Sequence, residues 1–378
     1  MLKFIFIWGG VAIFALALSG FAAWIIGLPA ATPAVVAPAV PRQEVDAMLA
    51  ALRPHKGARP VIAIIGINNA TEITDYLVPT GILRRADVAK VVMLATGPGP
   101  VQLYRALRVE PDATVAAFDV AHPEGADYVI VPAMSRDDDP AVLAWLRKQS
   151  NKGARIIGIC AGAKVVGAAG LLDGKRATTH WYYLSEMLKR GPTIEYVANR
   201  RMVADRGVVT TTGITASIPM MLTLIEAIDG RTKADSVARD LGVTTWDARH
   251  ASSAFKFTRP FATTVLLNRL GFWKHEHLGI QLEPGMDEVS LALAADAWAR
   301  TYRSSVSTFA ASTEAIVTAN GIRVLPDRDV ADLPEDRRLS TFPDRRPAEA
   351  LDDTLHAITA RYGNNTANVV SMQLEYPR

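Results

Sequence analysis

One cysteine stands among 378 residues, so no internal disulfide can form and thiol usage favours neither an oxidising nor a reducing compartment. A strong charge imbalance is also missing, since 41 basic residues against 38 acidic ones leave a net charge of +3. No basic block or interleaving of basic and aromatic residues occurs, which removes nucleic acid from the expected partners. A phosphate loop is absent: Gly97-Pro-Gly-Pro100 is a turn signal with no Lys-Ser/Thr behind it. His275-Glu-His277 would set two imidazoles on one strand face without a clear third ligand, so no metal is expected, and no nucleotide or flavin cofactor either. What remains is 49% apolar and 21% charged residues, the balance of an ordinary globular chain of about two domains with some added apolar character.

The single cysteine lies in the stretch Arg155 to Trp181. Ile156, Ile157 and Ile159 form a short apolar run typical of a central parallel strand, and Gly158-Ile-Cys160-Ala-Gly162 follows with the spacing of a nucleophile elbow, Cys replacing Ser. A reactive residue on a strained turn from strand to helix needs neighbours without bulk. The helix expected from Ala161 would put its positive end beside the thiol and favour thiolate. The alternative is a small buried core cysteine.

Phe4 to Gly27 is uncharged and apolar, and as a helix of about 36 Å it would cross a hydrocarbon core of about 30 Å. A single-pass membrane anchor with an Ala/Pro-rich linker is therefore expected over residues 1–41, with the bulk of the chain on the extracytoplasmic side. Gly20-Phe21-Ala22 leaves a cleaved signal open, and Arg42, Arg53, Lys56 and Arg59 leave the orientation open. Strands are expected at Val61–Gly66, Lys90–Ala95 and Tyr128–Val131, with helices near 73–85 and 140–149 between them. Alternating strands and helices imply a mostly parallel α/β sheet covered on both faces. A hairpin over 201–211 and a helix over about 214–228 complete a domain spanning 57–245. Residues 246–275 show no clean period and read as a connection.

From there an internal repeat is visible. Arg108-Val-Glu-Pro-Asp112 recurs as Arg323-Val-Leu-Pro-Asp327, and the same offset of 215 residues sets Arg300 on Arg85, Asp287 on Glu72 and Ser290 on Asp75. Residues 276–378 are expected to be an incomplete second copy, without a cysteine elbow, that docks on the first domain or on another subunit.

Gly-Ile-Cys160-Ala-Gly-Ala, the run Ala-Gly-Leu-Leu-Asp-Gly-Lys-Arg-Ala-Thr-Thr-His180-Trp and Asp75-Tyr-Leu-Val-Pro79 resemble the class I glutamine amidotransferase-like superfamily. The branch is that of PfpI-type proteases, the Parkinsonism-associated deglycase, isonitrile hydratases and the amidotransferase-like domain of AraC-type regulators. The resemblance implies a flavodoxin-like fold for roughly residues 60 to 245. It implies Cys160 as nucleophile, Asp75 as its carboxyl partner with Glu72 as runner-up, and His180 as base or as orienting group. A satisfied structural histidine is an equal reading of His180, and Asp75 also reads as a helix-start carboxylate. Glu72, Ala133, Met134 and Ala161 would line the substrate. Two positions depart from the pattern: Ala133-Met134 replaces the Gly-Gly that follows proline in the family and helps hold an oxyanion, and Ala161 stands where a threonine is common. The expected function is cysteine chemistry on a small electrophile such as a carbonyl, an amide or an isonitrile. A non-catalytic sensor or interaction module on the same fold is the second expectation, and a homo-oligomer is compatible with both.

Overall fold

The structure is a computed structural model and describes residues 19–30, 35–55, 57, 59–329 and 333–376. The first half of the chain supplies β1 (Val61–Gly66), β2 (Asn69–Glu72), β3 (Lys90–Ala95), β4 (Val101–Tyr104), β5 (Arg108–Glu110), β6 (Ala113–Thr114), β7 (Tyr128–Val131) and β8 (Arg155–Gly158). They are followed by β9 (Arg176–Ala177), β10 (Glu195–Tyr196) and the hairpin β11 (Met202–Asp205) and β12 (Val208–Thr211). The central sheet has the order β11-β12-β8-β7-β1-β3-β6, and all of its pairs are parallel except the hairpin. Strand alternation divides β1 between two cores: Ile62 and Ile64 face one cluster, while Ala63 and Ile65 face the other. Helices Ile73–Ala86 and Ser217–Asp229 cover the first face, whereas Pro140–Asn151 and Gly162–Ala168 cover the second. The carboxyl ends of β1, β7 and β8 thus emerge side by side, where open α/β sheets place their sites.

The second half supplies β13 (Glu276–Gln281), β14 (Ser304–Ala310), β15 (Ile316–Val317), β16 (Arg323–Leu325), β17 (Arg328–Asp329) and β18 (Arg338–Leu339). They form a parallel sheet of order β17-β14-β13-β18. β16 joins the first half by pairing antiparallel with β5 in a mixed sheet of order β15-β16-β5-β4-β2. Helix Glu288–Ala299 is buried along its whole length, and its apolar side chains share one core cluster with helix Ile73–Ala86. Two helices close the chain, Pro347–Tyr362 and Asn364–Leu374, separated by Gly363 at φ 85°. Residues 246–275 are more than a connection: they contain helix Arg259–Leu270, whose N-cap Thr258 accepts from the Phe261 N–H.

The membrane-spanning helix expected over Phe4 to Gly27, and the single-pass membrane localisation that rested on it, are corrected. Among the described residues no helix is long and apolar enough to cross a membrane. Residues 19–27 are helical, about 14 Å of helix at 1.5 Å per residue, and the remainder of the run lies outside the described residues. The end of this stretch is held on the protein body. Arg259 donates through its guanidinium to the carbonyls of Ile26 and Leu28 and through its backbone N–H to the carbonyl of Pro29, and Trp24 lies 5.9 Å from Phe257 between ring centres.

Candidate active site at the Cys160 elbow

Cys160 follows β8 with φ 56°, a left-handed conformation that a residue with a side chain rarely adopts and that costs on the order of 1–3 kcal/mol. The two glycines of the turn permit it. A Cβ on Gly162 would stand 1.9 Å from the Val131 carbonyl oxygen, and one on Gly158 would stand 3.1 Å from the Ala163 backbone. Two threonines fix the turn: the Cys160 N–H donates to the Thr211 hydroxyl (3.2 Å), and the Thr179 hydroxyl donates to the Cys160 carbonyl (3.0 Å).

The expected low thiol pKa is corrected. Burial pushes the Cys160 thiol well above its ordinary value, and the carboxylates of Asp75, Glu72 and Glu375 push it the same way. The Ala161 N–H, bonded to the sulfur, pulls in the opposite direction. The seven-residue helix Gly162–Ala168 presents its positive end, but Cys160 is only 4% exposed and three acids act on its thiol. Cys160 thus rests as a thiol.

The acids come from the start of helix Ile73–Ala86. Asp75 is fully buried, and its Oδ2 accepts from the Ala133 N–H at 3.0 Å. Its Oδ1 has no hydrogen-bond partner among the described residues. Burial, and then the negative charge of Glu72, hold its pKa well above the ordinary carboxyl value. Burial raises Glu72 to about 7, against the pull of Arg300, whose guanidinium donates to it at 2.7 Å. Asp75 and Glu72 are thus a buried pair of carboxyls with raised pKa, a pairing chemically able to exchange a proton with a neighbouring group.

The other expected residues divide. Ala133 reaches the site, but its N–H is spent on Asp75 and its carbonyl accepts from the Glu72 N–H, so it is not a free oxyanion donor. Met134 forms an isolated antiparallel bridge with Thr71 and packs against the core on the other face of the sheet, away from the Cys160 cluster. His180 is buried with both ring nitrogens committed: Nε2 donates to the Gln373 carbonyl (2.9 Å), and Nδ1 accepts from the Tyr182 N–H (3.2 Å). Desolvation lowers its pKa to about 4, which leaves a neutral ring that ties the first half to the chain end.

Two residues of the second half enter the neighbourhood unannounced. Arg300 bridges Glu72 and Asp296. Glu375, in a left-handed turn at φ 49°, caps the Trp181 and Gly213 N–H groups and lies 3.6 Å from His250. The offset of 215 was the signal for Arg300, as the counterpart of Arg85. The same offset sets Glu375 on Cys160, but it marked only the lack of a second cysteine and not a place for Glu375 near the first. Glu375 and His250 also line a cavity of about 480 Å³ between helix Asn364–Leu374 and residues 250–261, and Cys160 does not line it.

A flavodoxin-like parallel sheet with a strained cysteine at the strand-to-helix elbow, facing acids from the start of helix Ile73–Ala86, is a class I glutamine amidotransferase-like domain. Residues 61–227 match the family described as DJ-1/PfpI, and this part of the chain is a DJ-1/PfpI family domain. The Parkinson disease protein 7 homolog of Danio rerio is 29% identical over 185 residues, covering 47% of this chain and 95% of that protein. The isonitrile hydratase of Pseudomonas putida is 36% identical over 136 residues, covering 35% and 56% respectively. The HTH-type transcriptional regulator CdhR of Pseudomonas aeruginosa is 31% identical over 176 residues, covering 45% and 49%. The chain thus spans about half the length of these last two. Among solved structures, a DJ-1 superfamily protein from Salmonella typhimurium aligns over 49% of this chain and 100% of its own, with 24% identity and a TM-score of 0.44.

Proposed function

We propose that the first domain is a cysteine-centred enzyme acting on a small electrophile of the carbonyl, amide or isonitrile class. The observation that carries this reading is the left-handed Cys160 held between two glycines that a Cβ would displace, beside buried carboxyls of raised pKa. A core cysteine needs no such strain. Because the thiol is neutral at rest, addition to a carbonyl proceeds with proton transfer: the S–C bond forms, the C=O π bond breaks, and the thiol proton ends on the oxygen by way of Glu72 or Asp75. The strong burial of Cys160 restricts the substrate to small molecules. Turnover of a panel containing a 2-oxoaldehyde, a primary amide and an alkyl isonitrile, followed by NMR, tests this. At least one is consumed by the wild type and none by Cys160→Ser; no turnover of any class would defeat the reading.

A second reading, a ligand-responsive module without catalysis, is favoured by one observation. The large cavity opens at Glu375 and not at the cysteine. Saturable binding of a small molecule that Glu375→Gln weakens and Cys160→Ser leaves unchanged would support it.

A further inference from the structure

We propose that the second half of the chain takes the place of a second subunit, meeting the first half across a pseudo-two-fold axis and delivering Arg300 as the positioning residue for the acids beside Cys160. This rests on the reading of Cys160 as a reactive group.

An offset of 215 residues converts β5 into β16, and these two strands pair antiparallel with Val109 opposite Val324. Val324 is the counterpart of Val109 at that offset. A residue that meets its own copy across an antiparallel pair marks a two-fold axis, the signature of an isologous contact. The flanking hairpins obey the same rule, since Gln102 pairs with Arg108 in one and Val317 with Arg323 in the other. Inside each half, an equivalent aspartate accepts from an equivalent strand N–H: Asp112 from Met93 at 2.6 Å and Asp327 from Thr308 at 2.8 Å. Left-handed residues recur in register, Ala70 with Gly285 and Asp87 with Tyr302.

The ion pairs across the axis are reciprocal. Arg300 binds Glu72, and Arg85, the counterpart of Arg300, binds Asp287, the counterpart of Glu72. The helices carrying them approach so closely that a Cβ on Gly81 would stand 2.7 Å from the Glu288 side chain. The symmetry fails where the chemistry lies. The Arg300 pair sits against Asp75 and Cys160 and is about nine-tenths buried, whereas the Arg85 pair is more exposed and has no cysteine counterpart, position 375 being a glutamate. One chain therefore holds one site and has already used the surface through which a symmetric partner would complete it.

The charged groups facing Glu72 are Arg300 and Asp296 from helix Glu288–Ala299 and its end, Arg105 from the turn after β4, and Asp75 and Cys160 from the site itself. Arg300 acts through Glu72. The test compares full-length wild type, Arg300→Met, Arg85→Met, Glu72→Gln and the double variant Arg300→Met/Glu72→Gln, reading Cys160 alkylation by iodoacetamide against pH. In the wild type Glu72, raised to about 7, is expected to impose an inflection near that pH. Removing Arg300 moves it upward by about one unit or more, as expected for losing an opposite charge at contact distance. Arg85→Met leaves it in place, Glu72→Gln abolishes it, and the double variant matches Glu72→Gln. Equal effects of the two arginine variants, or an unmoved inflection in Arg300→Met, would overturn the proposal. Where Arg300→Met fails to fold, the double variant, which leaves no charge on Glu72, and Arg300→Lys, which restores the wild-type profile, carry the comparison. Glu72 ionisation is also read directly from the carboxyl-stretch difference between wild type and Glu72→Gln. An inert Cys160 would thus defeat the catalytic reading and leave this test running.

Discussion

Glu375→Gln is expected to stabilise the protein at alkaline pH and to leave it unchanged at acidic pH. Glu375 is 4% exposed, and burial raises its pKa from 4.5 to about 7 in the folded chain. Between those values the folded state keeps a proton that the unfolded state has released, so this group's contribution to stability falls as pH rises from about 4.5 to about 7. At about 1.4 kcal/mol per unit the full loss is about 3 kcal/mol. At pH 5 a protonated glutamate and a glutamine are near-isosteric, and both can accept from the Trp181 or Gly213 N–H. At pH 8 the wild type holds a buried carboxylate and the variant does not. His250, lowered to about 4, is present in both proteins and drops out of the difference. Urea or thermal unfolding from pH 5 to 8 reads the difference, with Tm separating by several degrees at the upper end, at roughly 2–4 °C per kcal/mol. A difference that stays flat over this range, or a variant less stable at pH 8, would show that Glu375 ionises normally and that its two backbone hydrogen bonds outweigh its burial.

Other outcomes follow from the same geometry. Gly162→Ala places a methyl group 1.9 Å from the Val131 carbonyl oxygen, so it should cost about 1–3 kcal/mol or more and abolish turnover; a melting curve and an activity equal to wild type would remove the steric argument for the elbow. His180→Ala should lower stability by about 1–3 kcal/mol, because the buried Gln373 carbonyl loses its donor, while the pH profile of Cys160 alkylation keeps its shape. Loss of the inflection in that variant would restore His180 as the base. Val109→Ala and Val324→Ala, both fully buried and facing each other, should each cost about 2 kcal/mol and combine non-additively in the double variant; strict additivity would show that they do not pack together.

The parts of the fold that were legible were those governed by short-range physics. β-Branched runs such as Val61–Gly66 and Tyr128–Val131 are strands because such residues fit a pleated, doubly covered sheet. The glycine spacing around Cys160 announced a turn that only small neighbours allow. Helix Arg259–Leu270 was hidden because its apolar residues follow no clean stripe: Phe261 packs edge-on against Trp181 and Asn268 bonds to Thr301 and Thr366, partners from three separate parts of the chain. The thiol pKa was misjudged for a related reason. A helix dipole is visible in sequence, whereas the desolvation of the sulfur and the acids gathered around it depend on residues up to 215 positions away. The apolar run Phe4 to Gly27 shows the same limit, since hydropathy does not reveal that Arg259 holds the carbonyls at its end.

The most direct test of a reactive Cys160 coupled to Asp75 is the rate of iodoacetamide labelling of this single thiol in the folded protein from pH 5 to 10, in wild type and Asp75→Asn. The account predicts labelling without unfolding, a wild-type midpoint above the free-thiol value of about 8.5, and a midpoint at lower pH in Asp75→Asn, because the negative charge that Asp75 takes on beside the sulfur as pH rises can no longer form. Labelling that appears only on unfolding, or a midpoint that Asp75→Asn leaves unmoved, would contradict it.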